Sequence, residues 1–220
     1  MNKKKLIGYS IFFIVLTALF FVYVFWGTDN WKYKPPVLSQ IQPFEFTNQD
    51  GARFTQNNML GKVCVVNYFF TTCKGICPRM NSNMHKIYDA FKDEPNFMII
   101  SHTCDPERDD ARVLKRYADS LKVNTDKWVF LTGRKDSLYK AARNSYLLDD
   151  PKNAVVNIND QFLHTQFFAL VDKNGKVRAQ IFDGLKQQDL DELKKDIQIL
   201  LSERPDEAGF SNGIFTNNPQ

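Results

Sequence analysis

The hydrophobic positions of this 220-residue chain fall into three regimes. Residues 6–26, LIGYSIFFIVLTALFFVYVFW, form an unbroken apolar run without charge, about as long as a helix needs to cross the hydrocarbon of a bilayer. Residues 27–42 are polar and carry Pro35-Pro36, the composition of a linker. From Pro43 onward, short alternating or β-branched runs interchange with segments of helical spacing.

FEFTNQDGARFT, residues 44–55, reads as a hairpin around Asp50-Gly51. KVCVVNYFF, residues 62–70, is a near-continuous β-branched and aromatic run of the buried-strand type. Pro78 suits the first turn of a helix, and Met80, Met84, Ile87, Tyr88 and Phe91 recur behind it at helical spacing. Residues 96–101 predict a strand, 109–121 a helix with Val113, Leu114, Tyr117 and Leu121 on one face, 128–131 a strand and 136–146 a helix. A second hairpin is expected over 162–171 and 176–182, turning at Asp172-Lys173-Asn174-Gly175. A closing helix over 186–201 buries Leu190, Leu193, Ile197, Leu200 and Leu201. No internal repeat is present. The order β-α-β-α-β-α followed by β-β-α predicts an α/β fold that resembles a thioredoxin-like three-layer domain over 43–202, with an added N-terminal β-hairpin. It stands behind one N-terminal transmembrane helix and ahead of a flexible tail, 203–220, rich in Gly, Asn and Pro.

The exit from the apolar run, VFWGTDNW, has no small-x-small cleavage site, and the run is longer than a signal peptide's core, so an uncleaved anchor is expected. Lys3, Lys4 and Lys5 precede it without an acidic residue, which places residues 1–5 in the cytoplasm and the rest on the outer, periplasmic side of a single-pass membrane protein. Trp26, Trp31 and Tyr33 suit the interfacial belt. Those lysines account for three of the four net positive charges, leaving +1 for the remainder, so no surface for nucleic acid is implied. Four cysteines are too few for a disulfide scaffold of this size. Outside the cytoplasm, however, a close thiol pair oxidises unless it is kept reduced or holds a metal.

Cys73 and Cys77 are such a pair, in FFTTCKGICPRM, directly behind the buried strand and at the start of a helix. The helix dipole and its unpaired N–H groups favour thiolate there, which suits a redox pair or a metal clamp. A structural disulfide would close only a tiny loop and be a poor staple. Lys74, Gly75 and Ile76 make the spacing one residue longer than a thioredoxin motif and let both sulfurs face a common point. Two thiolates suit Cu(I) or Zn(II), and a nitrogen ligand would complete a soft site. Of the three histidines, His85 is expected on an exposed helix face. His102, near Cys104, is expected in an ordinary polar contact or at the same rim, and His164 opens the strand of the second hairpin. Cys64 reads as core, as do Met80 and Met84, whereas Cys104 is either loop filler or an auxiliary thiol. The charges of DPERDD read as a helix cap and its first acidic turn, with Asp105 shaping the site from behind the ligands.

FFTTCKGICPRM, SHTCDPERDD and FLHTQFFALVDKNGKV, in this order behind one N-terminal anchor, resemble the SCO/SenC family over roughly residues 43–201. The resemblance implies a membrane-anchored copper protein that binds one copper ion per chain, as Cu(I) or Cu(II), through Cys73, Cys77 and His164. It also implies a role in assembling the binuclear copper centre of cytochrome c oxidase, with that oxidase's copper-binding subunit as acceptor and an upstream copper donor. Gly75 stands where the family often carries an acidic residue, Lys74 adds a positive charge beside the site, and Cys104 replaces a valine. An enzymatic alternative remains, a thiol-disulfide oxidoreductase in which Cys73 and Cys77 are the redox thiols that reduce the acceptor cysteines or another extracytoplasmic substrate. A peroxidase suggested by Thr71-Thr72 would have no use for Cys77 and His164 together.

Overall fold

The first helix, α1 (Lys3–Phe25), is apolar around its whole circumference, and its 22-residue stretch Lys3–Val24 is long and apolar enough to cross a membrane. Its serine and threonine hydroxyls are satisfied inside the helix, Ser10 Oγ donating to Leu6 O and Thr17 Oγ1 to Phe13 O. The computed structural model describes residues 3–25, 33–73, 75–150, 152, 163 and 165–203, and the chain divides into two units between Lys34 and Pro35.

Among the described residues of the second unit, eight strands form one mixed sheet. They are β1 (Val37–Gln40), β2 (Glu45–Asn48), β3 (Arg53–Thr55), β4 (Val63–Phe69), β5 (Phe97–Thr103), β6 (Trp128–Thr132), β7 (Phe167–Val171) and β8 (Lys176–Asp183). Their spatial order is β1-β8-β7-β4-β5-β6-β2-β3. β4 is buried along its whole length, which is why its sequence runs apolar without alternation. Cys64, Val66 and Tyr68 face one layer, while Val63, Val65 and Phe69 face the other. The second layer is covered by α2 (Cys77–Phe91), α3 (Ala111–Leu121) and α5 (Gln187–Ser202), whose buried stripes include Met80, Met84 and Ile87, Leu114 and Ala118, and Leu190, Leu193 and Ile197. The first is covered by the β2–β3 hairpin and by α4 (Lys135–Lys140) with the π turn Ala141–Ser145 that continues it. This is the three-layer thioredoxin-like arrangement that the element order predicts.

β4 runs parallel to β5 and antiparallel to β7, in the register Val66↔Ile100 and Val66↔Ala169. The C-terminal ends of β4 and β5 and the chain entering β7 therefore meet at one edge of the sheet. The predicted hairpin around Gly51 forms as β2–β3, with Asn48 Oδ1 accepting from the amides of Asp50 and Ala52 and Gly51 at φ +79°.

Five expectations change. Val37–Gln40 lies inside the expected linker, yet it is an edge strand on β8, because Arg178 is buried there and donates to Pro35 O at 2.8 Å while pairing with Asp172 at 2.6 Å. The same guanidinium pairs with Glu203 at 3.2 Å, so Glu203 is held by the domain, whereas the rest of the expected tail lies outside the described residues. The first strand of the second hairpin begins at Phe167, five residues later than expected. The expected 136–146 helix changes to π geometry at Ala141, and Val113 is only half-buried beside the buried Leu114 and Ala118.

His102 lies on β5 inside the first layer, stacked on Tyr68 and edge-on to Phe46, with Nε2 3.3 Å from the Tyr146 hydroxyl. Burial pushes its pKa down from 6.5 to about 3. The folded protein keeps the ring neutral while the unfolded chain protonates it below about pH 6.5, so stability is full above that pH and falls as the solution is acidified toward 3. Urea unfolding at pH 7 and pH 5 should show a loss of about 2 kcal/mol from this group, absent from His102→Phe. A second test concerns Gly184, where a Cβ would sit 2.5 Å from Phe168 Cζ and 2.8 Å from Gln166 O. Gly184→Ala should cost about 1–3 kcal/mol in the same assay, since both neighbours are fixed.

Candidate metal centre

The loop that leaves β4 turns at once, Cys73 N donating to Phe70 O at 3.2 Å. Cys77 is the first residue of α2, and Pro78 fills the first turn, where its missing N–H costs no helical bond. Cys73 is half-buried and Cys77 buried, both against the layer formed by α2, α3 and α5. All four cysteines are free thiols.

The two sulfurs are chemically unequal. Burial opposes ionisation of Cys73, but donation from the Cys77 thiol and from the backbone N–H groups of Cys77, Gly75 and Ile76 outweighs it, so its pKa lies below the ordinary value. For Cys77, burial comes first and the adjacent Cys73 adds to it, raising its pKa in spite of donation from Phe70 N–H. The pair thus sets a half-buried sulfur that ionises more readily than an ordinary thiol beside a buried one that resists ionisation. That is a site able to attack a disulfide or to close on a soft cation.

Cys104 follows β5 directly. Its amide and its thiol both donate to Phe69 O, at 2.8 and 3.0 Å, and burial raises its pKa, with Cys77 and Asp109 adding to the effect. The Tyr139 hydroxyl donates to Cys104 O at 2.9 Å and accepts from Leu163 N at 3.1 Å. Thr165 Oγ1 accepts from Phe167 N at 3.2 Å. The residues on either side of position 164 are therefore fixed, Leu163 through Tyr139 and Cys104 to the end of β4. His164 itself lies outside the described residues, as does Lys74. Among the described residues no group of three His, Cys, Asp or Glu side chains converges as a metal site.

Asp105 is nearly buried, its amide bonded to Thr103 Oγ1 at 3.0 Å and its carboxylate 3.4 Å from Arg108. His102 points into the aromatic layer and not to the rim, and His85 is half-buried edge-on to Trp128 at 5.3 Å, where an exposed face was expected. Cys64, Met80 and Met84 are core. Asp110 caps α3, its Oδ1 accepting from Val113 N at 2.8 Å, whereas the acidic first turn expected with the cap does not form, since α3 begins at Ala111 and has no acidic residue in that turn.

Two features of the site are absent from the sequence reading. Tyr117 stacks on Phe69 at 5.0 Å, and its hydroxyl accepts from Asn81, one turn after Cys77 on α2. Asp109 is fully buried, its carboxylate accepting from Thr71 and Thr103. The helical spacing of Cys77 and Asn81 was a usable signal for the first, but only tertiary contact identifies the second.

The SCO1/SenC family model matches residues 35–201. The SCO1 protein homolog of Bacillus subtilis (strain 168) is 31% identical over 171 residues, covering 76% of this chain and 86% of that protein. Among solved structures, BsSco, a member of the Sco family of cytochrome c oxidase assembly proteins in which a disulfide switch was identified, is 29% identical with a TM-score of 0.65 over 79% of this chain and 99% of its own. Yeast Sco1 with copper bound is 25% identical with a TM-score of 0.57 over 77% of this chain and 93% of its own. With the family model matched over most of the chain and the fold held in common, this protein belongs to the SCO1/SenC family.

Proposed function

We propose that this chain is a membrane-tethered metallochaperone that holds one copper ion through Cys73, Cys77 and His164 and delivers it to the copper-binding subunit of cytochrome c oxidase. The observation that carries the reading is the unequal thiol pair at the sheet edge to which Leu163 and Thr165 also bring their chain. Two sulfurs and an imidazole are a soft donor set that suits Cu(I) and tolerates Cu(II). Yeast Sco1 carries copper on the same fold, and BsSco belongs to a family of oxidase assembly proteins.

Transfer would proceed by ligand exchange. Cys73, the more exposed sulfur, is the donor an incoming ligand replaces first, while the buried Cys77 retains the ion until the acceptor has supplied its own ligands. Copper is then never free. The α1 helix would hold the domain at the outer face of the membrane, with residues 1–5 in the cytoplasm, and tethering raises the effective concentration near a membrane-bound acceptor. The upstream donor would load the same face.

A second reading is favoured by the same inequality of the sulfurs. A low-pKa accessible Cys73 and a buried Cys77 are suited to attack and resolution in thiol-disulfide exchange, which could reduce the acceptor's cysteines before copper arrives. That chemistry has no need of His164.

Copper titration of the reduced, anaerobic, detergent-solubilised chain should give one copper per chain. Affinity should fall by at least about a hundredfold in Cys73→Ser, Cys77→Ser and His164→Ala, since losing a ligand costs more than losing its support. Unchanged affinity in all three variants would remove the metallochaperone reading, and full oxidase assembly by His164→Ala in cells would favour the reductase. Gly75 offers a further check, because a Cβ there meets nothing within 4 Å. Gly75→Glu should fold normally and retain more Cu(II) after dialysis, read as the intensity of its electron paramagnetic resonance signal, because the added carboxylate is a hard anionic neighbour.

A further inference from the structure

Among the described residues of the second unit, six large apolar side chains are exposed: Val37, Leu38, Leu60, Ile76, Leu147 and Phe167. Ile76 and Phe167 belong to the end of the sheet that carries the cysteine loop. The other four gather at the β1 edge, which neither copper binding nor thiol exchange uses. Val37 and Leu38 are the first two residues of β1 itself. Gln40 Nε2 donates to Gly175 O at 3.0 Å, and a Cβ on Gly175 would stand 3.8 Å from Leu60 Cδ2, so Leu60 borders the far end of the same strand. Ser145 O accepts from Ser39 Oγ at 2.5 Å and Ser145 Oγ from Gln42 N at 3.0 Å, which brings the chain that carries Leu147 beside β1. Leu147 is exposed at φ +57°, in the left-handed region that disfavours a leucine. An apolar residue kept in water at a backbone cost marks a surface that something covers.

The chemistry of the patch selects what covers it. Residues 34–42 and 56–62 contain no acidic residue, and Lys34 and Lys62 flank the exposed leucines in sequence. Asp172 and Asp149 are turned inward, to Arg178 at 2.6 Å and to Arg143 at 2.7 Å, and the exposed Asp150 lies three residues beyond Leu147. Leucines flanked by lysines suit the headgroup region of a bilayer, where the apolar groups reach the acyl boundary and the cations meet anionic lipid. Pro35 is buried, its carbonyl accepting from Arg178 Nε at 2.8 Å, and Pro36 O accepts from Ala179 N at 2.8 Å. The edge is thus bound to the sheet from its first residues, and residues 26–34 alone join it to α1. A segment of that length spans at most roughly 30 Å when fully extended, so a bilayer crossed by α1 stays within reach of the β1 edge.

We propose that the β1 edge is a docking surface for the bilayer, with Leu38, Leu60 and Leu147 seated in its headgroup region. Gly61 N donates to Lys173 O at 2.8 Å just before β4 begins, so Leu60 is separated from the cysteine loop by the length of that strand, about 20 Å. A domain docked by this edge turns Cys73 and Cys77 away from the lipid, toward the exposed part of a membrane-bound acceptor. This deepens the proposed function by orienting its site. It rests on α1 spanning the bilayer and not on copper.

The test uses the full-length chain in vesicles of phosphatidylcholine and phosphatidylglycerol that contain a photoactivated diazirine lipid, with the diazirine in the acyl chain or in the headgroup. Labelled peptides are identified by mass spectrometry. The acyl-chain probe should label α1, and the headgroup probe should label the peptides of Leu60 and Leu147, both far in sequence from the tether, about tenfold more than the exposed face of α3. In the double variant Leu38→Glu/Leu147→Glu, label on the Leu60 peptide should fall about tenfold as two apolar anchors are lost, with the melting temperature unchanged. Label on α1 with none above the α3 level at Leu60 and Leu147 would overturn the proposal and leave the metallochaperone reading standing. An amine cross-link between Lys62 of two copies, without lipid label at Leu60, would assign the surface to a second copy and overturn it equally. Absence of label on α1 would remove the membrane tether and this proposal with it.

Discussion

The site depends on β4 having no face turned to water. Because every residue from Val63 to Phe69 is buried, the strand is fixed from both layers and by neighbours on both edges, β5 and β7. The chain that leaves it carries this rigidity into the first turn of the loop. Phe69 O accepts from both the amide and the thiol of Cys104, and Cys104 O receives the Tyr139 hydroxyl that also holds Leu163. One carbonyl at the end of the central strand thus links the segments that carry Cys77, Cys104 and the neighbours of His164.

The second determinant is the difference between the two sulfurs. A helix start alone would favour thiolate at both positions. The structure divides them, since Cys73 is reached by three backbone amides while Cys77 lies deeper against Met80 and its core neighbours. An accessible sulfur ready to ionise and a buried one that resists it make an ordered pair, in which one engages a partner and the other holds or resolves. Both proposed chemistries need that order, which is why the geometry accommodates copper transfer and thiol exchange in one place.

Much of this was legible because it rests on local periodicity. The unbroken run of β4, the 3.6-residue spacing of Met80, Met84 and Ile87, and the Asp-Gly turn each report their environment within a dozen residues. β1 was read as linker because four residues of an edge strand carry no periodic signal, and the partner that makes them a strand, β8, lies far along the chain. For His102 the sequence leaves an ordinary polar contact, which the Tyr146 hydroxyl supplies, and a place at the rim both open for a related reason. On a strand buried on both faces the alternation that would tell inward from outward disappears, and only packing against Tyr68 and Phe46 sets its side. Asp109 was hidden inside a run of charges, DPERDD, of which Asp110 caps a helix, Asp105 meets Arg108, and Asp109 alone turns inward to Thr71. Of the three residues implied as ligands by the family resemblance, Cys73 and Cys77 lie together in the described structure, and His164 lies outside the described residues.

The central claim is a copper centre of two sulfurs and one imidazole nitrogen. X-ray absorption at the copper edge on the Cu(I)-loaded chain tests it directly, because sulfur and nitrogen scatterers separate in distance. The account predicts two sulfurs and one nitrogen around copper in the wild type, and two sulfurs without that nitrogen in His164→Ala. A shell with a single sulfur, or one that is identical with and without His164, would contradict it.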